Sequence, residues 1–302
     1  MQSIAKLINV GTNGTNPSAY RGSVRNSVLG LMYLAENHPT CRVILTFALQ
    51  ALREGENIGW STFAFKWSLD NADYMGGGDG GGVLTVPGVD KTRYARVLMR
   101  CITRDAVAEW VAAPITIRSR MGHMHANFLL HHIASNRVFR FEPYGQTPTE
   151  YDGPGLDAAL SRFFKTIRPD IEVISSRSRA CNIQDRQERE TMRHPGLEKG
   201  YCQVFAILYA SVQMSELVCT KDSGRHHLCD VRRTAFEIDR YFRGHDGRIT
   251  AWIRAYSNFL VTQYKSICLK DVTKSRFVDV NRADTIRHVV DTCPKQFIYT
   301  LC

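Results

Sequence analysis

Residues 124–145 read Met-His-Ala-Asn-Phe-Leu-Leu-His-His-Ile-Ala-Ser-Asn-Arg-Val-Phe-Arg-Phe-Glu-Pro-Tyr-Gly, two strand-forming runs around a turn signal. The runs 125–133 and 137–142 are rich in aromatic and aliphatic residues, and Ala134-Ser135-Asn136 between them predicts a hairpin. Alternation along the first strand puts His125, Asn127, Leu129, His131 and Ile133 on one face and Ala126, Phe128, Leu130 and His132 on the other. The hairpin therefore presents a histidine at the start of one strand and a carboxylate, Glu142, at the end of the other. Pro143-Tyr144-Gly145 then stops the second strand. The turn matches 137–142 with 128–133, so Glu142 meets His125 only through a stagger or through sheet twist. His123 competes with His125 for the same role, while His131 and His132, next to the turn, are expected to be exposed.

A second stretch, Gly-Tyr-Cys-Gln-Val-Phe at 200–205, reads as a tight turn that opens a helix. Phe205, Leu208, Tyr209 and Val212 recur at helical spacing, which predicts a helix over about 202–217 with Cys202 at its tip. Helix N-termini favour thiolate over thiol, and Gly200 permits a turn that a side chain would obstruct. A thiol, a histidine and a carboxylate are the parts of an activated nucleophile: the imidazole accepts the thiol proton and later returns one to the leaving amine, and the acid orients it.

Working outward, residues 1–23 are rich in Asn, Gly, Ser and Thr and predict an irregular arm. Helices are expected over 24–37 and 40–53, broken at His38-Pro39, and again near 91–102 and over 155–167. Gly-Gly-Gly-Asp-Gly-Gly-Gly at 76–82 predicts a flexible loop or linker. Strands are expected at 113–119 and 171–174, and two or three further helices within 228–265. This divides the chain into a helical accessory region, 1–107, and a core with a helical extension, 108–302.

With 39 basic against 29 acidic residues the net charge is +10, an excess that favours nucleic acid, acidic proteins or anionic surfaces without choosing among them. Arginines crowd 162–193, either as a solvated face or as a rim for an acidic partner. Nine scattered cysteines in a chain without a secretory leader suggest a reducing compartment and a protein that is not secreted. No apolar run reaches the roughly 18 residues of a membrane span. Cys219, His226, His227 and Cys229 have zinc-ligand chemistry, but their spacing fits no standard finger, so neither metal nor cofactor is expected. The glycine run lacks the Gly-Lys-Ser/Thr ending of a phosphate loop.

His-Ala-Asn-x-Leu from His125, Arg-Phe-Glu-Pro-x-Gly from Arg140, a glutamine, and Gly-x-Cys ending at Cys202 form an ordered set. It resembles the Ulp/adenain superfamily of cysteine proteases: ubiquitin-like-protein proteases, the adenovirus maturation protease and related proteins of large DNA viruses. The resemblance covers about 108–220 and implies an α+β fold with a central mixed sheet against the cysteine helix. It also implies a catalytic set of His125, Glu142 and Cys202 with an oxyanion-hole glutamine, Gln187 or its competitor Gln184. By the same resemblance, the substrates are virion precursors or ubiquitin-like conjugates cut after Gly-Gly-like sequences, in the virion or the infected-cell viral factory. Ala126 stands where cellular members often have Trp, the glutamine-to-cysteine gap is long, and Gln203-Val204-Phe205 lacks a viral tryptophan. Two other classes fit the same residues. YopJ-like acetyltransferases share the order His, Glu, Cys, and a basic structural virion protein can retain the fold without activity.

Overall fold

The computed structural model describes residues 24–44, 47, 63–69, 82–88, 90–104, 107–145, 148–176, 182–193, 201–215, 231–243 and 249–268. Among the described residues seven strands appear in chain order: β1 (Cys41–Val43), β2 (Phe65–Ser68), β3 (Val83–Thr85), β4 (Trp110–Arg118), β5 (Met124–His132), β6 (Arg137–Phe141) and β7 (Glu172–Ser175). The helices described are α1 (Val24–Asn37), α2 (Lys91–Arg104), α3 (Gly153–Ile167), α4 (Ile183–Arg193), α5 (Cys202–Met214), α6 (Val231–Arg243) and α7 (Ile249–Cys268). The class is mixed α+β.

The strands form one curled mixed sheet in the order β3-β2-β4-β5-β6-β7, with β1 also on β4. β4, β5 and β6 are antiparallel neighbours, while β1 and β2 join β4 in parallel and β7 joins β6 in parallel. β1 pairs with residues 110–112 of β4 and β2 with 115–118. Pro114, which has no N–H to donate, lies at the break between them, the kind of position a central strand reserves for proline.

Period-two alternation splits the core into two layers. Trp110, Ala112, Phe128, Leu130, Phe139 and Phe141 face a cluster that includes Val204, Phe205 and Leu208 of α5. Val111, Ala113, Ile115, Ile117, Leu129 and Val138 face the other way, toward Tyr94 of α2 and Leu156, Leu160 and Phe163 of α3. Every residue of α5 after Cys202 is buried, as befits a helix apolar all round its circumference. Phe141 and Tyr209 lock this helix to the sheet with rings stacked 4.1 Å apart, worth about 1 kcal/mol beyond the area they bury.

Helices expected at 24–37, 91–102, 155–167 and 202–217 form within three residues of those bounds. The expected helix at 40–53 does not begin as one: residues 41–43 are strand β1. Cys-Arg-Val-Ile-Leu is a short apolar run, which periodicity cannot divide between buried strand and buried helix. Strands β1, β2 and β3 also give the first 107 residues a share of the central sheet, where a helical accessory region was expected. α4 was not foreseen, because after Ile183 its inward residues Gln184, Gln187 and Thr191 are polar and leave no apolar stripe to read. The arm at 1–23, residues 76–81 of the glycine run, residues 269–302 and the Cys219–Cys229 cluster lie outside the described residues. No described helix is long and apolar enough to cross a membrane.

Candidate active site

β6 ends at Phe141, opposite Phe128, so the first residues of β5 extend beyond its last paired position. There the chain turns: Gly145 N–H donates to Glu142 O at 2.9 Å, with Pro143 at the second turn position and Gly145 at φ +73°. Glu142 itself is held by its backbone N–H, which donates to Ser176 Oγ at 2.8 Å beyond the end of β7. Continuing the register by one step places Glu142 opposite Asn127 and diagonal to His125, a separation a long side chain spans. His125 Nε2 lies 2.7 Å from Glu142 Oε1. The diagonal supplies the approach that the hairpin count alone did not.

Both groups are buried, His125 at 3% exposure and Glu142 at 0%. A lone buried charge is prohibitive, so such a pair persists only when fully bonded. Glu142 Oε1 also accepts from Tyr144 N–H at 3.1 Å, and Oε2 accepts from Asn127 Nδ2 at 3.1 Å with Arg140 Nη1 3.6 Å away. Burial alone would hold the imidazole neutral, but the Glu142 charge and a side-chain hydrogen bond with Cys202 outweigh it and push His125 up to about 10. Burial opposes ionisation of Glu142 as well, and His125 with Arg140 overcomes it, bringing that carboxyl down to about 2. Each member of the pair thus favours the charged form of the other.

Cys202 opens α5 and is partly exposed; the preceding Tyr201 is the helix N-cap and its side chain makes no capping bond. The rings of Tyr144 and Tyr151 flank His125 with centroids 4.9 and 5.4 Å away. Burial raises both hydroxyls above the ordinary tyrosine range, and neighbouring Glu188 and Glu150 add to this.

The structure thus brings His125, Glu142 and Cys202 together. The two glutamines part company. Gln187 donates Nε2 to Thr250 Oγ1 of α7 at 3.4 Å. Gln184 donates to Glu188 Oε1 at 3.1 Å, the oxygen that also accepts from Tyr144 OH at 2.7 Å, so it connects to the ring that covers His125. His123 is exposed and meets Glu150 at 3.6 Å. His131, expected to be exposed, is buried, because β4 and β6 both flank it and Phe164 covers its ring. Of the crowded arginines, Arg168, Arg186 and Arg189 pair with Asp170, Asp239 and Asp185. Among the described residues, no group of His, Cys, Asp and Glu is arranged to hold a metal ion. Asn127, Arg140, Tyr144 and Ser176 belong to the site but were not singled out from the sequence. Asn127 and Arg140 sit two residues from His125 and Glu142 on the same strand faces, which was their signal. No family model, curated protein or solved structure matches the chain.

Proposed function

We propose that this protein is a cysteine peptidase of the viral Ulp/adenain type, with Cys202 as nucleophile, His125 as acid and base, and Glu142 as the group that orients His125. The observation that carries this reading is the buried Glu142–His125 pair, 2.7 Å apart, in electrostatic reach of the cysteine that opens α5.

In the proposed reaction the Cys202 sulfur attacks the scissile carbonyl carbon, and the developing oxyanion is met by the Cys202 backbone N–H. Gln184 takes the supporting oxyanion role ahead of Gln187, exchanging its bond to Glu188 for one to the substrate. The tetrahedral intermediate collapses as His125 protonates the leaving amine, giving a thioester. His125 then takes a proton from water, whose hydroxide attacks the thioester and releases the acid and Cys202. Substrates in this reading are virion precursors or ubiquitin-like conjugates with Gly-Gly before the cut, and the setting is the assembling virion or viral factory.

The test is labelling by Gly-Gly-X and ubiquitin-like C-terminal electrophiles, with the labelled residue mapped by mass spectrometry. Label on Cys202 alone, lost in Cys202→Ala and His125→Ala, is the expected result. Label spread over many cysteines and indifferent to His125→Ala would sink the mechanism.

A further inference from the structure

Asn127 and Arg140 carry more than packing. Arg140 is fully buried: its Nε donates to Asp157 Oδ1 at 2.5 Å and its Nη1 donates to Asn127 Oδ1. A guanidinium has only donors, so it must face the carboxamide oxygen, and this fixes which way the Asn127 amide points. The amide nitrogen is then turned inward, 3.1 Å from Glu142 Oε2 and 3.1 Å from His125 Nε2. Since that nitrogen is itself a donor, it cannot accept the Nε2 proton, and Glu142 Oε1 is left as the acceptor at 2.7 Å. The chain Asp157–Arg140–Asn127 thus runs from α3 through the sheet face to the Glu142 carboxylate that holds the imidazole, every link donor to acceptor.

We propose that Asn127 and Arg140 are positioning residues, which keep the Nε2 proton on the Glu142 side so that His125 exchanges protons with Cys202 through its other ring nitrogen. This rests on the peptidase reading and adds a device to it: an arginine that sets the orientation of an amide, which in turn sets the tautomer of the base. Glu142 turns Oε1 to the histidine, where the Tyr144 N–H also bonds it, while Asn127 donates to Oε2. In either variant below Cys202 and Glu142 remain, and what is lost is the constraint on the ring.

The experiment is the rate of Cys202 alkylation by iodoacetamide in the full chain at pH 6 and pH 9, followed on the Cys202 peptide by mass spectrometry, with thermal melts as the check on folding. His125→Ala is the reference and should slow Cys202 at pH 6 on the order of a hundredfold. Asn127→Leu should slow it about tenfold at pH 6 and less than about twofold at pH 9, where a thiol ionises with little help. Arg140→Lys keeps the charge but loses the fork that bridges Asn127 and Asp157, and should give the same pH-selective loss, about threefold. If Asn127→Leu does not melt cooperatively, Arg140→Lys decides. Wild-type rates in the folded variants, or an equal loss at both pH values, would overturn the positioning role while leaving the peptidase reading intact. A His125→Ala protein that alkylates like wild type would overturn both.

Discussion

His125 and His131 lie on the same strand and the same face, six residues apart, and both are buried, at 3% and 2% exposure. Their electrostatic fates are opposite. His125 has Glu142 and Cys202 and is pushed up to about 10. His131 has no hydrogen-bond partner on either ring nitrogen, and burial, with His132 and the Arg168 charge nearby, pushes it down to about 4. Burial is common to both, so the partners decide. A histidine meant to carry a proton is given a carboxylate, and one meant to pack is given Phe164 and the flanking Val111 and Val138.

The largest effect expected from breaking this contrast is at the charged end. Cys202→Ala or His125→Ala should each lower peptide hydrolysis by roughly a thousandfold or more, read as kcat/KM on a Gly-Gly-X substrate. Next comes the packed end. His131 binds its proton less readily folded than unfolded, so stability should fall as pH drops from 6.5 toward 4, by about 3 kcal/mol in all. His131→Leu should remove that acid limb and leave stability near neutral pH little changed, as urea melts at pH 4.5 and 7.5 would record.

The two ends also separate by direction. His125 is raised from 6.5 to about 10, so its contribution is complete below 6.5 and fades as pH rises toward 10. Glu142 is lowered from 4.5 to about 2, so its contribution is complete above 4.5 and fades as pH falls toward 2. Glu142→Gln preserves shape but removes the charge that holds the imidazolium. It should cost about a hundredfold in kcat/KM at pH 7 and flatten the alkaline stability limb. The smallest effect is Phe164→Leu, which takes an aromatic edge from the His131 ring and should lower stability by about 1 kcal/mol. A thermal melt at pH 7.5 reads it.

Much of this was legible in the sequence because it is local. Strand alternation put His125 and Asn127 on one face, and helical spacing put Cys202 at the head of α5. Pro143 marked where β6 stops. What escaped was set by tertiary neighbours. The diagonal approach of Glu142 depends on where β6 ends relative to β5, which no single strand encodes. His131 looked exposed because it neighbours a turn, yet the strands on either side and Phe164 enclose it. α4 was hidden because its buried face beyond Ile183 is built of glutamine and threonine, held by hydrogen bonds that Gln184 donates to Glu188, Gln187 to Thr250 and Thr250 to Glu190. The strand β1 was read as helix because a few consecutive apolar residues have no period.

The position of α5 across the sheet has a consequence for synthesis. Chains fold from the N-terminus as they emerge, and here β4, β5 and β6 precede the cysteine helix by a long stretch of sequence. The hairpin bearing His125 and Glu142 leaves the ribosome while Cys202 is still to be translated. A nascent or prematurely ended chain therefore holds the His125–Glu142 pair without Cys202. The thiol joins only when α5 docks, in a core layer that α6 and α7, later still in the chain, complete. In this order of events, the three side chains of the site meet only as the structure matures.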